Sequence, residues 1–148
     1  ILKFFEQSED ILQVRERYPL LGNNAKIPFN SSIKSTVYVR KVFTDSSKTN
    51  FTLRVAVKGA AERVIELCNK YLMKGKEQKM TPEFKKRLAI ANEDFALLGE
   101  RVLALAYLDL DPVQYPNDFK FYSSMVSVVE NGNKIEVSTR KVSCFWIN

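Results

Sequence analysis

Not one of the 148 residues is histidine, and only two are cysteine. Without histidine, Ser-His-Asp and Cys-His nucleophile systems are excluded, and so is the commonest general base near neutral pH. Cys68 and Cys144 stand far apart with no Cys-x-x-Cys pair, so no zinc-ligand set is present. They read as reduced, partly buried thiols of a cytosolic domain. The five glycines form neither Gly-x-Gly-x-x-Gly nor Gly-x-x-x-x-Gly-Lys-Ser/Thr, which leaves Rossmann and P-loop phosphate sites without their fingerprint. No apolar run approaches the length that crosses a bilayer, and "ILKFFEQSED" lacks a basic leader with a small-residue cleavage site. A start in the middle of an element is what an excised fragment would show.

What is present is ordinary globular composition, 45% hydrophobic and 27% charged, enough for one domain over residues 1–148 with its own core. The net charge of +6 favours anionic partners without distinguishing nucleotide, nucleic acid or lipid headgroup. Carboxylates such as Glu62, Glu66, Glu83, Glu93 and Asp94 fall on separate helical faces, and nothing marks a catalytic pair. No catalytic and no metal-ligating residue is assigned.

Turn and cap chemistry divides the chain. Leu2, Phe4, Phe5, Ile11, Leu12 and Val14 at mainly helical spacing predict a helical hairpin or kinked helix, with Ser8 a candidate N-cap and Pro19 a stop. "STVYVRKVF", "TDSSKTN" and "FTLRVAV" predict a β-hairpin. A helix is expected from Ala60 to about Asn69. Thr81, Pro82 and Gly99 delimit another over "TPEFKKRLAIANEDFALLG". "RVLALAYLDL" reads as a central strand covered on both faces. "ENGN" marks a second hairpin before the final "KVSCFWI". The fold class expected is α/β of the α+β type: a largely antiparallel sheet flanked by helices and helical hairpins.

In "VAVKGAAERVIELC" a lysine and a glycine stand between a predicted strand and a predicted helix. Gly59 would allow close approach of another group, and a helix start beside the Lys58 ammonium would suit phosphate. Taken singly, Phe29 reads as core packing and Lys34 or Arg101 as solvated surface. In combination, "IPFNSSIK", "VKGAAE" and "GERVLALA" resemble the nucleotide-binding domain of P-type ATPases, the cation pumps that pass through an aspartyl-phosphate. "VRERYPLLGNNAKIPFNSS" is similar to the sodium/potassium-pump and proton/potassium-pump α-subunits in particular. "QYPNDFKF" resembles the connection back toward the phosphorylation domain.

The resemblance implies that Phe29 stacks on adenine, that Lys34 contacts the nucleotide near ring and ribose, and that Lys58, Gly59 and Ala60 line the pocket floor. Arg101 would then reach the phosphates of Mg-ATP. Ser31 and Thr36 occupy positions where calcium pumps place arginine and sodium pumps glutamine, and both are carried as ATP-binding candidates. Ala61 replaces the family's proline. The resemblance also implies that the phosphorylatable aspartate, the magnesium ligands and the membrane helices lie elsewhere in a parent chain. The fragment would then bind ATP without turnover, as a cytosolic domain of a plasma-membrane protein. Its partners would be the phosphorylation and actuator domains, with a β-subunit reached through the membrane region. The alternative is a basic single-stranded nucleic-acid-binding module, suggested by +6 and by "FKFYSS". The resemblance ranks it second, and no nucleic-acid partner is expected.

Overall fold

The structure is a computed structural model that describes residues 9–22, 25–121, 128–130, 133–135 and 142–146, the last three stretches by their backbone. Leu2, Phe4, Phe5, Ser8 and most of the segment after Phe121 lie outside the described residues. Helix α1 (Ile11–Arg17) is capped by Asp10, whose carboxylate accepts from Leu12 N at 2.9 Å, and it ends before Pro19 as expected. The chain then runs beside the future second strand: Leu21 N donates to the Val39 carbonyl and Lys41 N to that of Pro19.

Strands β1 (Lys26–Asn30), β2 (Ser35–Phe43), β3 (Phe51–Ala60), β4 (Cys68–Met73), β5 (Lys76–Lys79), β6 (Leu103–Asp109) and β9 (Val142–Trp146) make one sheet in the order β1-β2-β3-β6-β9-β4-β5. Every neighbouring pair is antiparallel except β4 with β9. β7 (Val128–Glu130) and β8 (Asn133–Ile135) form a separate hairpin at "ENGN". The fold class is the α/β arrangement expected, with β6 in the central position of the main sheet.

Asp45 holds the β2–β3 turn. Its carboxylate accepts from Thr49 N, the Thr49 hydroxyl, Asn50 N and Asn50 Nδ2 at 2.8 to 3.1 Å. The β4–β5 turn is a two-residue connection with Lys74 at φ 49 and Gly75 at φ 76 between the paired Met73 and Lys76. Positive φ at both central residues matches the twist of the flanking strands. Thr81 caps helix α3 (Pro82–Leu97) by accepting from Phe84 N, and Gly99 follows it at φ 79.

Strand alternation sends one face of the sheet to the helices. Val57, Ala104 and Ala106 are buried there, and short helix α2 (Ala61–Glu66) lays Ala61, Val64 and Ile65 on them. Small residues on both sides let α2 lie close to β6. A second cluster of Ala25, Val39, Leu53 and Leu110 continues the core toward Tyr115 and Phe121.

Four expectations are corrected. β3 runs unbroken through Lys58 and Gly59 to Ala60, so that dipeptide is strand and not a strand–helix junction. The helix ends at Glu66, and Cys68 opens β4. β6 is covered on one face only, since its buried residues are the alternate Ala104 and Ala106 while Leu103 is 38% exposed. Cys68 is also disulfide-bonded rather than reduced. Cys144, the other cysteine, lies on β9, the strand next to β4.

The hydrogen bonds to Asp45, that from the Thr49 hydroxyl first, hold its carboxyl below the ordinary value of 3.8. A depressed folded value means that protons bind the unfolded chain more readily. This stabilisation is therefore present above 3.8 and is lost as pH falls through the lowered value. Asp45→Asn should remove that acid-sensitive increment. Urea midpoints at neutral pH and in acid check it: the variant's deficit should shrink in acid, and an undiminished deficit would contradict the account.

Candidate functional site

The register brings the sequence-selected residues to one end of four neighbouring strands. One row runs Asn30–Ser35–Gly59–Ala104, and the next runs Thr36–Lys58–Leu105. Ala60 pairs with Leu103, and Arg101 precedes Leu103 by two residues. Adjacent strands lie about 4.8 Å apart. Asn30 pairs with Ser35 on the helix-covered face, and Phe29 precedes it within a register shift between Ile27 and Asn30, while Thr36 and Lys58 lie on the opposite face. Phe29 is 67% exposed, so core packing is ruled out for it. Lys34, Lys58, Ser31 and Arg101 are exposed, Ala60 is half-buried, and Thr36 is 6% exposed, which withdraws its hydroxyl from solvent.

Lys34 is pinned by its backbone. It ends the β1–β2 turn at φ 51, its N–H donates to the Asn30 carbonyl at 2.7 Å, and its carbonyl accepts from Ala60 N at 3.0 Å. A non-glycine residue at such φ is held there by its surroundings. Its ammonium meets Glu62 Oε1 at 3.4 Å, in the first turn of α2. Both side chains are about half exposed, so the pair contributes at most about 1 kcal/mol. It does fix the direction in which the lysine leaves the turn.

Glu62 was not singled out by sequence reasoning, although it belongs to the quoted "VKGAAE". Only the fold of Lys34 back over β3 makes it a neighbour. Farther along the same face, Arg54 grips Asp109 with two hydrogen bonds of 2.5 and 2.8 Å, while its guanidinium lies 4.3 Å from the centre of the Tyr107 ring. The hydrogen bond that Arg54 donates to Asp109 raises the Arg54 pKa above its ordinary value, against partial burial. Arg54 and Asp109 are register partners, as are Ala56 and Tyr107. No local motif signals such a cross-strand group.

Two features narrow the phosphate argument. Of the N–H groups at the start of helix α2, that of Ala60 is already given to the Lys34 carbonyl. Gly59 does not leave room for a ligand ring. A Cβ on Gly59 would come within 2.6 Å of the Lys34 carbonyl oxygen and of Ser35 Cβ. The glycine makes room for the chain itself. A shallow cleft at the other end of the sheet, lined by Gln13, Arg17, Phe43, Asp45 and Lys48, contains none of the candidates. The aromatic cluster of "FKFYSS" is structural where described. Phe119 contacts Tyr115 and Phe121 at 5.2 and 4.9 Å, and the latter two pack on the core.

The described residues thus form a largely antiparallel sheet with helices packed on one face, an α/β domain. Residues 1–140 match the family described as P-type ATPase, cytoplasmic domain N. The chain belongs to that family. It is 32% identical over 145 residues to the human sodium/potassium-transporting ATPase subunit alpha-4, an alignment covering 88% of this chain and 13% of that protein. It is 37% identical over 122 residues to subunit alpha-3 of Gallus gallus, covering 82% and 12%. To subunit alpha-1 of Oreochromis mossambicus it is 32% identical over 115 residues, covering 78% and 11%. The chain thus spans about an eighth of the length of these relatives.

The Gly59 contact yields a test. Gly59 is not held at positive φ, so the cost of a side chain is steric. Gly59→Ala should destabilise the domain by about 1–3 kcal/mol, as overpacking does, and Gly59→Val by more. Urea denaturation measures this. An unaltered midpoint for Gly59→Ala would show that Ser35 and Lys34 move aside freely.

Proposed function

We propose that this chain is the ATP-binding domain of a cation-transporting P-type ATPase, with sodium and potassium the ions suggested by the relatives' names. The observation that carries the reading is the exposed Phe29 beside the strand ends where Lys34, Lys58 and Arg101 also lie. A phenylalanine face offers base stacking worth about 1–3 kcal/mol in comparable sites. Lys58, an extended cation opposite Thr36, offers an apolar stem to the ring and an ammonium beyond it. Arg101 supplies a planar fork for phosphate oxygens.

In this reading the domain holds adenine and presents the γ-phosphate to an aspartate in a separate phosphorylation domain, so the chain binds ATP but does not hydrolyse it. Positioning is its share of phosphoryl transfer. Among the described residues no group of three or more acidic, cysteine or histidine side chains could hold a metal ion. In this reading magnesium enters as the counter-ion of the triphosphate, with its protein ligands mainly in the phosphorylation domain. The parent protein would be a plasma-membrane pump whose phosphorylation and actuator domains contact this one on the cytosolic side. A β-subunit would associate through its membrane region.

ATP should shift amide NMR signals of Phe29, Lys34, Lys58 and Arg101 together, and changes confined to the segment after Phe121 would count against the reading. Phe29→Ala should weaken ATP and adenosine alike, by about 5- to 150-fold, since both carry the ring. Arg101→Ala should weaken ATP by about 10-fold or more while leaving adenosine unchanged, because a hydrogen bond to a charged group contributes about 1.5–3 kcal/mol. Equal losses for both ligands would remove Arg101 from the phosphates.

A further inference from the structure

Residues 70–87 carry seven Lys and Arg against two Glu, a net +5, whereas the other 130 residues carry sixteen basic against fifteen acidic side chains. Nearly the whole charge of the chain thus sits on the β4–β5 hairpin and the first turns of α3. Lys70 is paired with Glu77 at 2.8 Å and Lys85 with Glu66 at 3.4 Å. Lys74, Lys76, Lys79, Lys86 and Arg87 are exposed and make no ion pair among the described residues.

These residues form one body. Tyr71 of β4 stacks on Phe84 of α3 with ring centres 3.9 Å apart and planes 12° from parallel, and Met80, buried between hairpin and helix, donates its N–H to the Asn69 carbonyl at 2.8 Å. Strand β5 is the outer strand of the sheet and is exposed along its length. It lies four strand spacings from β3, about 19 Å, so the lysines there do not belong to the nucleotide site. Two aliphatic side chains stand among the charges. Met73 is 44% exposed at the hairpin tip, and Ile90 is 51% exposed one turn beyond Lys86.

We propose that the β4–β5 hairpin and the first turns of α3 form a docking surface for anionic phospholipid headgroups. Six of the seven cations are lysines, compact point charges that suit a diffuse negative surface better than a fixed bidentate acceptor. Clusters of four to eight basic residues are attracted to acidic leaflets by about 1 kcal/mol per side chain. The exposed aliphatic Met73 and Ile90 suit the headgroup–acyl boundary. Single-stranded nucleic acid would call for exposed rings among the lysines, and here Tyr71 and Phe84 are occupied with each other.

Co-sedimentation of the 148-residue chain with phosphatidylcholine vesicles, with and without phosphatidylserine, tests this. Binding should require phosphatidylserine and fall as salt rises. The triple variant Lys74→Gln/Lys76→Gln/Lys79→Gln should lose on the order of 100-fold in affinity, about five-fold per lysine. Lys26→Gln/Lys41→Gln/Lys48→Gln, which removes the same charge elsewhere, should keep most of it. Met73→Ser should weaken binding without changing its salt dependence, and thermal melts establish that each variant is folded. Equal binding to both vesicle types, or equal loss in both triple variants, overturns the proposal. So does capture of polyglutamate or a single-stranded oligonucleotide by these lysines in the absence of vesicle binding, which would make the surface one for polypeptide or nucleic acid.

Discussion

The contact on which this end of the molecule depends is the approach of the Lys34–Ser35 backbone to Gly59. Only a residue without Cβ permits it, since an added carbon would sit 2.6 Å from both the Lys34 oxygen and Ser35 Cβ. With that space free, Ser35 pairs with Gly59, and the Lys34 carbonyl takes the N–H of Ala60. The same bond closes the β1–β2 turn onto β3 and sets the residue from which α2 starts. Glu62, one turn into that helix, then meets the Lys34 ammonium. The position of a surface lysine is thus a consequence of a glycine on the neighbouring strand.

A second constraint is that the sheet is covered by helices on one face. Ala104 and Ala106 on β6 and Ala61 on α2 are small, so α2 packs close to the central strands. The opposite face is left to long polar chains and to the exposed Leu103. On it Arg54, Tyr107 and Asp109 satisfy one another across two strands, which spaces them from the cations at the strand ends. Lys58 is exposed because it alternates with the buried Val57 and Gly59.

Features governed by local chemistry were legible in the sequence. The Asp45 turn, the Thr81–Pro82 start and Gly99 end of α3, and the "ENGN" hairpin each follow from a few adjacent residues. Features governed by distant pairing were not. The start of β4, Cys68 and Asn69, reads as a helix tail until β9 returns beside it in parallel, and β3 reads as ending at Val57 because Lys-Gly-Ala resembles a junction when its partner Ser35 is unknown. At the site, Phe29, Lys34, Lys58 and Arg101 were selected through a family resemblance, and the register gathers them. Gly59 was selected for the wrong physical reason, since the room it makes is used by the chain's own backbone. Glu62 was missed because its relation to Lys34 spans 28 residues.

The charge of the molecule carries a related lesson. A net +6 invites the inference that the nucleotide site attracts its ligand by bulk electrostatics, yet the chain outside residues 70–87 is close to neutral. The cations at the strand ends are few, and Lys34 already has a carboxylate neighbour. Recognition there would rest on geometry: a stacking ring, a lysine on an ordered strand and an arginine beside its end. The hairpin and α3 are built in the opposite way. Their lysines stand on an outer strand and an exposed helix face, with five cations unpaired among the described residues, and only the backbone beneath them is fixed. Exposed charges of that kind act through their number and are screened by salt within about 10 Å. On the proposed reading the two cationic regions would differ in what they select, one a shaped ligand and the other an extended negative surface.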